Sequence, residues 1–317
     1  MRILALVTLA FFGFSNSIFA QDPHFTQHFS TGIYNNPAFT GSAGKARLNV
    51  AYRNQWPNIP GNYQTSFLSF DISKERLPFD IGLYSMYDRA GGGTLNTTQL
   101  GLSLGRSFKI FKNVSIRLGI SGALVSRALD VSKLTFGDQI DSRFGFVYQT
   151  NNDIAFYKRA NFLNLNAGLV LHSNRFLIGY SVSNFNEPDQ SIYFAAQPLP
   201  MRHTLQGAFR INMKDSENLS GFYLSAFYTK QNDFTGFLPG LIYRYKSVRA
   251  GLAYRNDDAY ILNAAYSGKN LSIGYSYDYT VSKLTNQTGG SHEFTINWTF
   301  GKLNEKRPGI GFISSLF

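Results

Sequence analysis

The chain has 317 residues, a formal net charge of +11 and no cysteine. Without cysteine there is no disulfide framework, no thiolate metal site and no lipid attachment through a cysteine. No stretch of 18 uninterrupted apolar residues follows the N-terminal region, which excludes a helical inner-membrane protein. The excess of Lys and Arg points to anionic lipid head groups or an acidic partner. The chain carries 29 Phe, 19 Tyr and 29 Gly, a balance that aromatic girdles and small interior residues of an outer-membrane barrel would produce. A secreted β-sandwich or propeller shares it, so the pattern along the chain has to decide.

The first 20 residues read as a signal peptide. Arg2 is the positive region, Ile3–Phe14 the apolar core and Ser17–Ala20 the cleavage region, and the core is too short for a transmembrane anchor. Residues 21–44 are rich in Asn, Phe and Gly and too short for a folded plug domain; they are expected to be periplasmic or to fill a lumen. From 45 to 301 come fourteen stretches of alternating character: 45–53, 63–71, 79–87, 96–107, 113–126, 161–172, 175–183, 201–211, 220–229, 236–245, 248–255, 259–267, 270–279 and 291–300. In the last of them Phe294, Ile296, Trp298 and Phe300 oppose Glu293, Thr295, Asn297 and Thr299. Period-two alternation gives each set its own face, one toward lipid and one toward a wet lumen. Stretch 63–71 departs most from this pattern.

Long connections (54–62, 88–95, 127–160, 184–200, 230–235, 256–258, 280–290) alternate with mostly shorter ones (72–78, 108–112, 173–174, 212–219, 246–247, 268–269). The expected fold is therefore an all-β, antiparallel transmembrane barrel of about 14 strands in the outer membrane of a Gram-negative cell. Long loops would be outside and both chain ends periplasmic. Arg117, Arg249 and Arg255 fall on the lumen side, since Arg toward lipid at mid-depth costs about 2–4 kcal/mol. On this reading Leu118→Arg harms assembly and Arg117→Gln is tolerated. Residues 302–317 form a C-terminal tail of open role.

The polar residues form no convincing reactive constellation. His24 and His28 have metal spacing only on a helix, which Pro23 disfavours. No Gly-x-Ser-x-Gly places a nucleophile. Asp257, Asp258, Glu187 and Asp189 follow no calcium-loop pattern, and Gly91-Gly92-Gly93 lacks the Lys of a phosphate loop. The chain is read as non-enzymatic, with no cofactor, no metal and no nucleic-acid partner. Trp56 is either an interfacial aromatic anchor or a surface contact. In 127–160, Phe144, Phe146, Tyr148, Phe156 and Tyr157 exceed what a solvating loop needs and are candidate partner-binding residues; a loop folding over its own barrel mouth would use them too.

Three short blocks carry a resemblance. They are Gln21-Asp22-Pro23-His24-Phe25-Thr26-Gln27, then Asn35-Asn36-Pro37-Ala38-Phe39-Thr40-Gly41, then Tyr52-Arg53-Asn54-Gln55-Trp56-Pro57. In this order and spacing they resemble the PorP/SprF outer-membrane proteins of type IX secretion in Bacteroidetes. The motif residues are Gln21, Asp22, Pro23, Asn36, Pro37, Gly41, Arg53, Gln55 and Trp56. The resemblance implies a role in secretion of adhesins and in gliding motility. The implied partners are outer-membrane lipid, an exported protein bearing a type IX C-terminal domain, and periplasmic type IX ring lipoproteins. A channel or small-solute transporter is the competing reading, since about fourteen strands leave a water-wide lumen unless something fills it.

Overall fold

The computed structural model describes residues 22–141, 143–148, 159–192, 196–211, 220–282 and 287–304. The expected signal peptide, Gln21, Phe156, Tyr157 and the tail beyond 304 lie outside these residues. Sixteen strands are present among the described residues: β1 (Ala46–Gln55), β2 (Tyr63–Ile72), β3 (Asp80–Ala90), β4 (Leu95–Phe111), β5 (Val114–Leu129), β6 (Ile140–Asp141), β7 (Gly145–Phe146), β8 (Arg159–Ser173), β9 (Phe176–Ser183), β10 (Arg202–Arg210), β11 (Gly221–Gln231), β12 (Phe234–Tyr245), β13 (Val248–Arg255), β14 (Ala259–Ser267), β15 (Leu271–Thr280) and β16 (Ser291–Phe300). Fourteen of them close into an antiparallel barrel, with β1 against β16 at the seam, and β6 and β7 form a separate hairpin. No described helix is long and apolar enough to cross a membrane.

Alternation sets the two faces. On β16, Glu293, Thr295 and Asn297 point inward and are buried, while Phe294, Ile296 and Trp298 are exposed on the outer wall. Stretch 63–71 is a full barrel strand, and its weak pattern has a physical cause. Phe67 points inward and is buried among Phe25, Tyr34 and Tyr84. An apolar inward residue erases the alternation that a wet lumen would impose. The lumen is accordingly packed rather than wet where this cluster lies.

What fills it is the N-terminal segment. Residues 22–44 run through the barrel with a single helical turn, α1 (Gly32–Asn35), followed by a 3₁₀ turn at Pro37–Phe39. Asp22 meets Asn184, Gln231 and Arg202, where strands give way to the long loops. Thr40 and Gly41 meet Ser103, Asp71 and Asp80, near the short turns. The segment thus traverses the lumen and then turns into β1. The strand ends Ala46 and Phe300 are neighbours, while Asp22 lies at the long-loop end. Asn304, bonded to Gly44 and Ser73, lies at the short-turn end.

Candidate functional site: the filled lumen and the long-loop end

The first and third motif blocks meet inside the barrel, and the middle block docks on its wall nearer the short turns. Near the long-loop end, the carboxylate of Glu293 accepts the backbone N–H groups of Thr26 (2.7 Å) and Gln27 (2.8 Å). Arg53, the partner of Glu293 across the β1–β16 seam, holds Glu293 at 3.2 Å and Asp278 at 2.8 Å. Arg53 and Arg255 both donate to the Thr26 hydroxyl, which donates in turn to Asp278. All four charged side chains are buried. Desolvated charges survive only in such pairing, and removing one member of a buried pair costs about 3–5 kcal/mol.

Near the short-turn end the polarity is reversed. Here segment carbonyls accept from wall arginines. Arg117 donates to Ala38 (3.0 Å) and to Thr40, and it is paired with Asp80 at 2.8 Å. Arg47 donates to the Phe39 carbonyl (3.2 Å) and is paired with Asp71 at 2.9 Å. Asp71 also accepts the Gly41 N–H at 2.7 Å. Gly41 has φ of +71°, and a Cβ there would fall 2.4 Å from Asp80, so glycine is required on both counts. Arg117 is fully buried and engaged, so the expected tolerance of Arg117→Gln is corrected.

The middle block is a docking turn. Asn36 accepts the Ala38 N–H (2.9 Å), capping the turn that Pro37 opens, and donates to the carbonyls of Leu169 and Tyr180 on the wall. The wall is cut away to receive it. A Cβ on Gly119 would come within 2.3 Å of Ala38 N, and one on Gly168 within 2.1 Å of the Asn36 side chain. Sequence reasoning found the motif residues without this purpose. Their partners Asp71, Asp80, Asp278 and Glu293 carried no local signal, because they lie far along the chain and meet only when the barrel closes.

The remaining candidates separate. Pro23 offers its carbonyl to the Tyr34 hydroxyl at 2.7 Å, which fixes the segment near its start. Gln55 ends β1 and Trp56 follows it, both outside this network. Trp56 adopts φ of +58°, donates its N–H to Gly290 and packs edge-on against Tyr63. His28 is buried and His24 half-buried, they are not on one helix, and no group of three or more metal-ligating side chains occurs among the described residues. Gly91–Gly93 forms a 3₁₀ turn in which all three residues have positive φ.

At the long-loop end, the β6–β7 hairpin carries Phe144 (72% exposed) and Tyr148 (56% exposed). Asp141 shapes its tip by accepting the N–H groups of Arg143 and Phe144 and the Tyr148 hydroxyl. These bonds hold its carboxyl below the usual carboxylate range, the Arg143 N–H first. Phe146 lies in β7 beside them. A second feature is an open edge. β9 covers β8 only from Ala167 to His172, so 159–166 has no strand on that side among the described residues. Residues 185–186 stand in for one over 163–165: the Asn186 side-chain amide accepts from the Leu165 N–H (2.9 Å) and donates to the Leu163 carbonyl (2.6 Å), and the Phe185 N–H donates to the Leu165 carbonyl (3.1 Å). Leu163, Leu165 and Phe185 then join outward leucines of β2–β5 around an apolar groove of about 890 Å³ on the outer wall.

Among curated proteins none matches the chain. Solved outer-membrane barrels do. The outer membrane protein Omp33 of Acinetobacter baumannii shares 8% identity over 81% of this chain and 100% of that one, with a TM-score of 0.44. The toluene transporter TodX of Pseudomonas putida shares 12% over 88% of this chain and 97% of that one, with a TM-score of 0.45. The family model of the type IX secretion system membrane protein PorP/SprF matches residues 17–298, the span that holds all three blocks and nearly the whole barrel. The chain belongs to the PorP/SprF family of type IX secretion system membrane proteins.

Proposed function

We propose that this barrel is a non-enzymatic outer-membrane component of type IX secretion that holds an exported protein, such as an adhesin for gliding motility, at the cell surface. The observation that carries this reading is the filled lumen. Residues 22–44 occupy the space a diffusing solute would need, and buried ion pairs hold them at both ends. The work of the barrel then falls to its two ends. With long loops outward, as in outer-membrane barrels generally, the β6–β7 hairpin and the open β8 edge face the surface. There they would receive the exported protein's type IX C-terminal domain. The short turns would face periplasmic ring lipoproteins of the secretion machine.

The experiment pairs two deletions. Removing 140–148 should leave a folded barrel in the outer membrane and lower the surface level of an exported protein, which appears in the medium or is degraded. Wild-type protein in planar bilayers should be silent, and removing 22–44 should open a conductance. A steady wild-type conductance, lost on deleting 140–148 with no exported protein affected, would make the protein a channel.

A further inference from the structure

Apart from Arg249, the buried lumen-facing arginines are answered from within the fold. Arg47 meets Asp71, Arg53 meets Asp278 and Glu293, Arg117 meets Asp80, Arg202 meets Asp22, and Arg255 meets Asp258 and Asp278. Among the described residues Arg127 has no carboxylate within ion-pair distance, but it donates to Thr97 and Gln190. Arg249 is different. It lies on the inward face of β13, 6% exposed, with its Nη1 enclosed and without a partner. Its side chain forms no hydrogen bond and no ion pair among the described residues.

Its surroundings point to what is missing. Arg249 lines a cavity of about 40 Å³ between β11–β14 and residues 26–30 of the N-terminal segment. Besides Arg249 the polar lining is Thr26, Gln27, His28, Ser30, Ser225 and Asn263, and no carboxylate is among the lining residues. His28 spends its Nδ1 on the Thr26 carbonyl, and its Nε2 is enclosed without a partner. The walls beyond are apolar: Phe29, Leu238, Ile242 and Ile261. A guanidinium taken out of water needs an opposite charge or several strong acceptors. A cavity of this size admits a few waters or one small ion. Water would satisfy hydrogen bonds but would leave the charge uncompensated.

We propose that this cavity binds a small monovalent anion, chloride being the match in size. Arg249 supplies the charge, and the hydroxyl and amide groups of Ser225 and Asn263 supply neutral donors. The anion would fasten residues 26–30 to the β11–β14 side of the wall, where no carboxylate does so. This goes beyond the secretion reading and does not depend on it.

The test uses the full-length protein purified in detergent. Crystals soaked in sodium bromide should show an anomalous bromide peak beside the Arg249 guanidinium. Thermal unfolding should rise saturably with chloride or bromide relative to sodium gluconate at matched ionic strength, since gluconate is too large to enter. In Arg249→Gln the halide concentration needed should increase about 10-fold or more. Arg249→Lys, which keeps the charge, should retain part of the effect. If Arg249→Gln does not fold, the bromide soak of the wild type decides alone. A site that shows no bromide signal, or a halide effect that survives Arg249→Gln unchanged, overturns the proposal.

Discussion

Glu293 and Asp141 do the same thing in two different places. Each carboxylate accepts the N–H groups of two consecutive residues: Thr26 and Gln27 for Glu293, Arg143 and Phe144 for Asp141. Glu293 does so buried in the lumen, backed by Arg53. Asp141 does so in an exposed hairpin, with the Tyr148 hydroxyl as its third donor. Water can replace what Asp141 provides and cannot reach what Glu293 provides. The same local motif is therefore structural in one region and adjustable in the other. The N-terminal segment is held by bonds that water does not reach, while those of the hairpin are exposed to it.

The largest effect should come from the buried member. Glu293→Gln leaves Arg53 with half of its counter-charge and weakens the seat of Thr26 and Gln27, for a loss of about 3–5 kcal/mol. Unfolding of the reconstituted barrel, followed by the shift between folded and unfolded gel bands, measures it. Arg117→Gln tests the opposite clamp and should cost about as much, since Asp80 stays buried and the carbonyls of Ala38 and Thr40 lose their donor. Adding Asp80→Asn to Arg117→Gln should recover part of that loss by removing the orphaned charge. If both single variants unfold like wild type, the segment is not held by its clamps and the comparison with Asp141 collapses.

Two substitutions sharpen it from outside and from beneath. Leu118 is exposed on the outer wall beside Arg117 in the sequence, and Leu118→Arg should cost about 2–4 kcal/mol if it faces the bilayer centre. Arg117 and Leu118 thus both matter, for opposite reasons: one is paired inside, the other meets hydrocarbon. Gly119→Ala places a methyl against the backbone at Pro37 and Ala38 and should cost about 1–3 kcal/mol. Gly137→Ala, with nothing within 4 Å of the added carbon, is its neutral control. A harmless Gly119→Ala would mean that the Pro37 turn does not sit against β5.

These variants also mark what could be seen before the fold. All fourteen barrel strands were legible, because lipid on one side and polar groups on the other impose a period of two. Stretch 63–71 was the weakest for a reason now visible, since Phe67 faces an apolar filling and not water. The filling itself was legible only as one of two alternatives, with 21–44 expected to be periplasmic or to fill a lumen. Its clamps were not legible at all: Arg53 and Glu293 are 240 residues apart and become neighbours only through closure of β1 on β16. The path of the segment was missed for the same reason. An even strand count places Ala46 and Phe300 together, but it cannot say that residues before Ala46 return through the lumen. With long loops outward, a tag ahead of Asp22 should therefore be reachable on intact cells. Protection of that tag, with 130–158 labelled, would mean that the segment leaves the lumen in the cell.

The smallest effect on the barrel should come from Asp141→Asn. Asn keeps an acceptor oxygen but loses the charge, and each donor it releases can turn to water. The folded barrel should unfold as wild type does. The hairpin should nevertheless loosen, and trypsin should cleave after Arg143 faster on intact cells. Acid should mimic the substitution. The Asp141 carboxyl is held below its ordinary range by N–H and hydroxyl donors, so its contribution is fully present above the ordinary carboxylate value and is lost only as pH falls through the lowered one. Cleavage of the wild type should thus be flat from about pH 5 to 8, using a protease whose own activity is corrected for pH. A wild-type hairpin that opens near neutral pH would mean that Asp141 does not hold it. An Asp141→Asn barrel that unfolds as readily as Glu293→Gln would mean that exposure does not separate the two carboxylates.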